Sequence, residues 1–182
     1  VWFLKMKEYS EKLLGNVDRI TMSENLKELQ RNWIGRSEGM KISFDIVDEN
    51  DNKLTKAEIF TTCPETIYGI TFMVMAPEHE LISKLQDKIN NYEEVKKYQE
   101  ATKYRSELDR MSNQKDKTGC KLEGIYGVNP VNGNKVPIYI ADFVLAGYGT
   151  GMVMAVPAHD QRDYEFAKEF NIPMIQVIEG DV

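Results

Sequence analysis

The chain opens on helical periodicity. Met6, Tyr9, Leu13 and Leu14 recur at the spacing of one helix face over residues 5–17. Leu26, Leu29 and Trp33 share a face of a second helix predicted from Ser23 to Trp33, with Ser23 a residue type suited to cap its start. The period then shortens. Met40, Ile42, Phe44 and Ile46 alternate with Lys41, Ser43 and Asp45, which predicts a half-buried strand. Asp48 to Asn52 is turn chemistry, and residues 54–62 read as the returning strand of a hairpin. Ile70 to Ala76 is a nearly continuous apolar run stopped by Pro77, the pattern of a buried strand.

Residues 78–118 have a different character. Nine acidic and nine basic side chains fall within 78–117, with helical pairs such as Glu93 and Lys97, so this stretch reads as a solvated helical excursion rather than a carrier of chemistry. Strands resume over 121–126 and 135–141, on either side of the turn-rich Asn129-Pro130-Val131-Asn132-Gly133-Asn134. Met152 to Val156 predicts another buried strand, 161–170 a helix and 173–178 a last strand, and no internal repeat is evident. Strands joined by hairpins, with helices pushed outward, imply an α+β fold around a barrel-like, mostly antiparallel sheet with peripheral helices.

Length and composition fit one globular domain over residues 1–182, with 1–36 as a helical entry region: 42% of residues are hydrophobic and 29% charged. The net charge of −6 changes the picture of partners. An autonomous nucleic-acid binder carries a basic surplus to neutralise phosphates. Here either nucleic acid is no partner or something outside the chain supplies most of the grip. Cys63 and Cys120 stand far apart with no second pair, which reads as two free thiols in a reducing compartment. No apolar run reaches a membrane-spanning length and no signal peptide is recognisable, so the expectation is a cytoplasmic protein with no membrane partner.

Two segments place polar residues at the end of a buried strand. In Thr61-Thr62-Cys63-Pro64-Glu65-Thr66, hydroxyls cluster beside a proline that fixes the turn, which suits either a polar cleft or ordinary turn bonding. The second runs Gly147-Tyr148-Gly149-Thr150-Gly151, then Met152 to Val156, then Pro157-Ala158-His159-Asp160-Gln161-Arg162-Asp163. Glycines let a backbone approach a ligand closely, or simply make a loop. Asp160 and Asp163 lie three apart at the start of a predicted helix. One reading is a capping box, with Asp160 as cap and Asp163 reaching back. The other is a cation site, in which helix N–H groups keep both carboxylates ionised to hold a substrate ammonium. His159 with these acids invites a metal, but the only other histidine, His79 in Ala-Pro-Glu-His-Glu, gives no zinc spacing, and no cofactor is expected. A serine triad lacks its Gly-x-Ser-x-Gly elbow.

These stretches resemble the editing domain inserted in bacterial-type leucyl-tRNA synthetases. The likeness runs along nearly the whole chain: Trp2-Phe3-Leu4 and Tyr9 to Leu14 at the entry, Gln30-Arg31-Asn32-Trp33-Ile34-Gly35-Arg36-Ser37-Glu38-Gly39 at the boundary, Thr61 to Thr66 as the threonine-rich motif, and Gly149 through Phe166 as the aspartate-bearing motif. Isoleucyl and valyl enzymes carry a homologous insertion, but Asn32-Trp33-Ile34-Gly35 and His159-Asp160-Gln161-Arg162-Asp163 lean to leucyl. The family commonly has arginine where this chain has Cys63, which puts one contact to the tRNA end in doubt.

The resemblance implies a class I editing-domain fold and a deacylase that hydrolyses the ester of tRNA(Leu) mischarged with isoleucine, valine or norvaline. It assigns Asp163, aided by Asp160, to the substrate ammonium. Thr61 and Thr62 would line the ester and its attacking water, and Tyr148 with the backbone around Met154 to Val156 would cradle the terminal adenosine. Thr66 would be the gate that rejects leucine by shape. Neither His-x-Gly-His nor Lys-Met-Ser-Lys occurs, so the chain reads as an excised domain that does not charge tRNA, its two ends expected close together, with ATP binding left to the full-length enzyme. The partners implied are the tRNA(Leu) 3′ end carrying a noncognate amino acid and the remainder of the synthetase. The alternatives are a non-hydrolytic tRNA-end binding module, an isoleucyl or valyl editing domain, and a free-standing metallohydrolase.

Overall fold

The computed structural model describes residues 5–104, 117–147 and 149–179. The chain divides into two compact units, Val1–Glu38 and Gly39–Val182. In the first, the helix expected over 5–17 is split into a 3₁₀ turn, Met6–Tyr9, and α1, Ser10–Val17. Helix α2 spans Glu24–Ile34. Ser23 stands at its N-cap with extended backbone, but its hydroxyl makes no capping bond. Instead its carbonyl accepts from the Leu26 and Lys27 amides at 3.0 and 3.1 Å. Val17 is buried and Arg31 pairs with Asp18, whereas Leu26, Leu29 and Trp33 stay exposed, Trp33 at 89%.

The second unit holds six strands: β1 Met40–Asp48, β2 Lys53–Thr61, β3 Phe72–Met75, β4 Gly119–Val128, β5 Lys135–Ala141 and β6 Met152–Ala155. Asp48 closes the β1–β2 hairpin, its Oδ1 accepting from the Asn50 and Asn52 amides at 2.9 Å. The sheet order is β2-β1-β4-β5-β3-β6, antiparallel throughout except for β3 beside β5. That parallel pair needs a crossover, and the charged excursion helps supply it. Helices α3, Glu80–Lys84, and α4, Tyr92–Thr102, lie in the excursion. Asn91 pins it to β4, donating to the Lys121 carbonyl at 2.9 Å and accepting from the Glu123 amide at 3.0 Å. The remainder of the predicted excursion, 105–116, lies outside the described residues. The edge strands β2 and β6 approach one another, so the mixed sheet is a nearly closed barrel.

Alternation along the strands sorts side chains into two cores. Met73 and Met75 of β3 point into the barrel with Phe44, Ile46, Ile59, Leu122, Ile138 and Met154. Phe72 and Val74 point outward and pack with Tyr139, Ala155, Phe166 and Ala167 beneath the last helix, α5, Gln161–Glu169. Phe166 stacks on Phe72 with ring centroids 5.3 Å apart and meets Tyr139 edge-on at 5.4 Å. Such aromatic pairs contribute roughly 0.5–1.5 kcal/mol beyond burial. They fix the helix one turn from Asp163.

The strand expected over 173–178 does not form: the segment stays exposed and joins no ladder. Its Val177 and Ile178 amides donate instead to His159 Nε2, at 3.2 and 3.3 Å. One imidazole meets two donors that a strand would have sent to a neighbouring carbonyl row.

Thr71, just before β3, is 6% exposed, and its hydroxyl is the one buried side-chain polar atom among the described residues with no hydrogen bond. An unmet buried group costs about 1–3 kcal/mol. Thr71→Val keeps the shape and removes the hydroxyl, so it is expected to raise unfolding stability by about 1 kcal/mol, measured by chemical denaturation. A lower midpoint contradicts this.

Candidate functional site

The threonine segment begins where β2 ends. Thr61 Oγ1 accepts from the Cys63 amide at 3.1 Å, and the Cys63 carbonyl accepts from Thr66 Oγ1 at 2.9 Å and from the Thr66 amide at 3.3 Å. The chain then turns through a 3₁₀ helix, Pro64–Gly69, which the sequence pattern does not reveal. Proline at its first position suits a helix start, because the missing N–H has no partner there anyway. Thr66 is buried at 7%, Thr61 half-buried, and Thr62 and Cys63 exposed. The Thr62 hydroxyl sits 3.8 Å from the Cys63 thiol.

The acid segment is built by the β6–α5 connection. Asp160 is the N-cap of α5, and its Oδ1 accepts from the Arg162 amide at 2.8 Å and the Asp163 amide at 3.1 Å. This half of the capping reading holds. The other half does not, because Asp163 does not reach back to Asp160. Its Oδ2 accepts from the Val156 amide at 2.8 Å, seven residues earlier, just past the end of β6. Asp163 is only 8% exposed.

The expectation that helix N–H groups hold both acids ionised also needs correcting. Asp160 takes those groups. Burial, and then the neighbouring Asp160 charge, push the Asp163 carboxyl up to about 7, only partly opposed by the Val156 bond. Burial thus favours the protonated form of the carboxyl, and a neighbouring cation would favour the charged one.

Three segments converge where the edge strands β2 and β6 meet. Gly69, at the end of the 3₁₀ helix, has its α-carbon against the Val156 side chain, so that a Cβ there would lie 3.1 Å from Val156 Cγ1. The Thr71 amide donates to the Ala155 carbonyl at 3.2 Å, which ties the chain leaving the threonine turn to the residue preceding Val156. Gly149 lies beside Phe60, whose chain neighbour is Thr61. The chain at the end of the threonine turn thus approaches the end of β6, and the glycine loop approaches the end of β2. Among the described residues, no hydrogen bond or ion pair joins Asp160 or Asp163 directly to Thr61, Thr62 or Thr66. Met154 and Val156 are buried in the barrel core, and the Val156 backbone is itself occupied, its amide by Asp163 and its carbonyl by the His159 and Asp160 amides at 2.9 and 3.1 Å. Tyr148 lies outside the described residues.

Two hollows involve none of these residues. One, of about 440 Å³, lies between α4, β4 and the end of α5. The other, of about 420 Å³, lies within the first unit. Among the described residues no group of three His, Cys, Asp or Glu side chains is placed to hold a metal ion. Cys63 and Cys120 are free thiols, and burial pushes Cys120 up to about 11. No helix among the described residues is long and apolar enough to cross a membrane. Sequence reasoning missed the Val156 amide as the partner of Asp163 and the imidazoles of His79 and His159 as backbone clasps. Only His79 left a signal, its place in a helix-opening Ala-Pro-Glu-His-Glu.

A family described as leucyl-tRNA synthetase, editing domain, matches residues 31–182, and the chain belongs to that family. It is also similar to a solved structure, a ternary complex of Agrobacterium radiobacter K84 agnB2 LeuRS with tRNA and LeuAMS. The two share 29% sequence identity at a TM-score of 0.71. That match covers 100% of this chain but spans only 21% of the other.

A buried carboxyl with a folded-state value of about 7 and an ordinary value of 3.8 binds its proton more tightly when folded. Its contribution is therefore present below 3.8 and is lost as pH rises to about 7. Asp163→Asn removes this dependence while keeping an acceptor for Val156. Stability of the variant relative to the parent is expected to grow between pH 4 and pH 8, by up to about 4 kcal/mol. A pH-independent difference in denaturation midpoints contradicts the raised value.

Proposed function

We propose that this chain hydrolyses the ester of tRNA(Leu) carrying a noncognate amino acid, isoleucine, valine or norvaline, as the editing module of a cytoplasmic leucyl-tRNA synthetase. The observation that carries the reading is the buried Asp163 carboxyl, held at 2.8 Å by the amide of Val156, whose side chain lies against Gly69 at the end of the threonine turn. Residues 1–182 act as one editing module, with 1–36 as its helical entry. The remainder of the synthetase, which binds ATP and charges tRNA, supplies the positive grip that a chain of net charge −6 lacks.

In this mechanism the substrate ammonium pairs with Asp163. A charge pair formed in a partly desolvated site is stronger than one in water, and it converts Asp163 wholly to the anion. Asp160 adds negative potential and, as the cap of α5, holds the helix that presents Asp163. Thr61 and Thr62 orient the ester carbonyl and a water that attacks it directly. The water adds to the carbonyl carbon, the developing oxyanion is met by polar groups of the threonine turn, and the ribose oxygen leaves with the proton. No side chain of the seam need form a covalent intermediate. The backbone near Met154 to Val156, with Tyr148, would face the terminal adenosine.

Selectivity must come from shape, because leucine and isoleucine are equal in volume and one methyl position is worth only about 1–3 kcal/mol in a single pocket. Thr66 is the proposed gate. Its hydroxyl bond to the Cys63 carbonyl fixes its rotamer, so the side chain presents a rigid wall rather than a yielding one. Exposed Cys63, where the family resemblance implies an arginine, favours a second reading, a binding module that holds the tRNA end without cleaving it.

Incubating the chain with isoleucyl-tRNA(Leu) and following ester loss separates these readings, with hydrolysis expected and an intact ester favouring the binding module. Asp163→Ala is expected to abolish hydrolysis while the circular dichroism of the fold persists. Full activity in that variant would return Asp163 to a structural role. Thr66→Ala is expected to begin hydrolysing leucyl-tRNA(Leu), which the parent spares. If leucine is still spared, Thr66 is not the gate.

A further inference from the structure

The excursion begins with a histidine that the reaction does not use. His79 precedes α3, and its half-buried ring meets two partners from different segments. Nδ1 accepts from the Leu81 amide at 3.2 Å, and Nε2 lies 3.2 Å from the Thr150 carbonyl. A neutral imidazole has one acceptor and one donor. Since Nδ1 accepts, the ring proton sits on Nε2 and is donated to Thr150. Burial pushes the imidazole below its ordinary value of 6.5, which keeps the ring neutral and the pattern intact near neutrality.

Thr150 belongs to the glycine loop between β5 and β6, and the loop is held to the same short stretch of chain at two more points. The Ala76 amide donates to the Gly151 carbonyl at 2.9 Å, and the Ala146 amide donates to Glu78 Oε1 at 3.5 Å. Gly151 stands at φ 72, and a Cβ on it would lie 3.1 Å from Ala146 Cα and 3.2 Å from His79 Cδ2. Only glycine takes this backbone conformation freely, and here it also lets the imidazole close over the loop. Beyond the clasp, Gly149 lies beside Phe60, the chain neighbour of Thr61, so the clasp reaches the end of β2.

We propose that His79 is a positioning residue: its Nε2–H bond to Thr150 holds Gly149–Gly151 beside the end of β2, where the threonine turn begins. The inference rests on the hydrolytic reading for its consequence in turnover, but the clasp itself can be tested without it. A loop held by three bonds pays less ordering entropy when substrate arrives, so its loss raises KM more than it lowers kcat.

His79→Asn keeps a side-chain acceptor at the start of α3, since asparagine is a good N-cap, but is too short to reach Thr150. The expected result is amide hydrogen exchange about tenfold faster across Ala146–Gly151, with the rest of the barrel and the thermal midpoint unchanged. On isoleucyl-tRNA(Leu), KM is expected to rise by about tenfold with kcat within a factor of about three. Parent-like exchange in the loop overturns the clasp. A parent that hydrolyses isoleucyl-tRNA(Leu) beside a variant with unchanged KM overturns the positioning role, whereas an inactive parent overturns the hydrolytic reading instead. Should the variant fail to fold, nitrogen-15 imidazole shifts of the unmodified chain decide. The Nε2–H tautomer at pH 7 is expected, and an Nδ1–H tautomer or a charged ring overturns the proposal.

Discussion

A single hydrogen bond organises the seam. The Val156 amide is the first backbone donor past the end of β6, and it points at Asp163 rather than at another strand. The bond does two things at once. It joins the barrel to α5, whose opposite footing is the Phe166 stack on Phe72, and it places a carboxyl where little water reaches it. A buried acid without such a donor would be costly, and one with several would be locked as an anion. One amide opposes burial only in part, and Asp163 is pushed up to about 7.

The barrel supplies the rest by closing. The sheet runs β2-β1-β4-β5-β3-β6, so the strand ending in Thr61 and the strand leading to Val156 are the two edges. Open edges invite pairing with other chains, and barrels remove them by bringing the edges together. Here Gly149, in the loop before β6, lies beside Phe60 at the end of β2. The parallel β3–β5 pair makes this possible, because β6 returns beside β3 only after the chain has crossed through the charged excursion and laid down β4 and β5. A stretch that looks like solvated filler thus carries the crossover, and it also carries His79.

Much of the fold was legible locally. The alternation from Met40 to Ile46, the Asp48–Asn52 turn, the apolar runs at 70–76 and 152–156, and the helix opening at Asp160 each follow from side-chain period and turn chemistry, and each stands within a residue or two of its expected place. The misses share a cause. Asp163 and the tail amides of Val177 and Ile178 choose partners by position in space, and a backbone N–H or a remote imidazole leaves no mark on local pattern. Asp163 does not take the helix N–H groups expected for it, because Asp160 occupies them first. The approach of the glycine loop to the end of β2, and of the threonine turn to Val156, depends on long-range packing that local sequence pattern does not carry.

The central claim is that Asp163 is a poised acid awaiting an amine. Carbon-13 NMR of the Asp163 carboxyl, titrated with and without saturating amide-linked isoleucyl-adenosine, reads this directly. Titration near 7 in the free chain, falling well below the ordinary carboxylate midpoint when the analogue is bound, is the predicted result. A midpoint that the bound analogue leaves unmoved would contradict it.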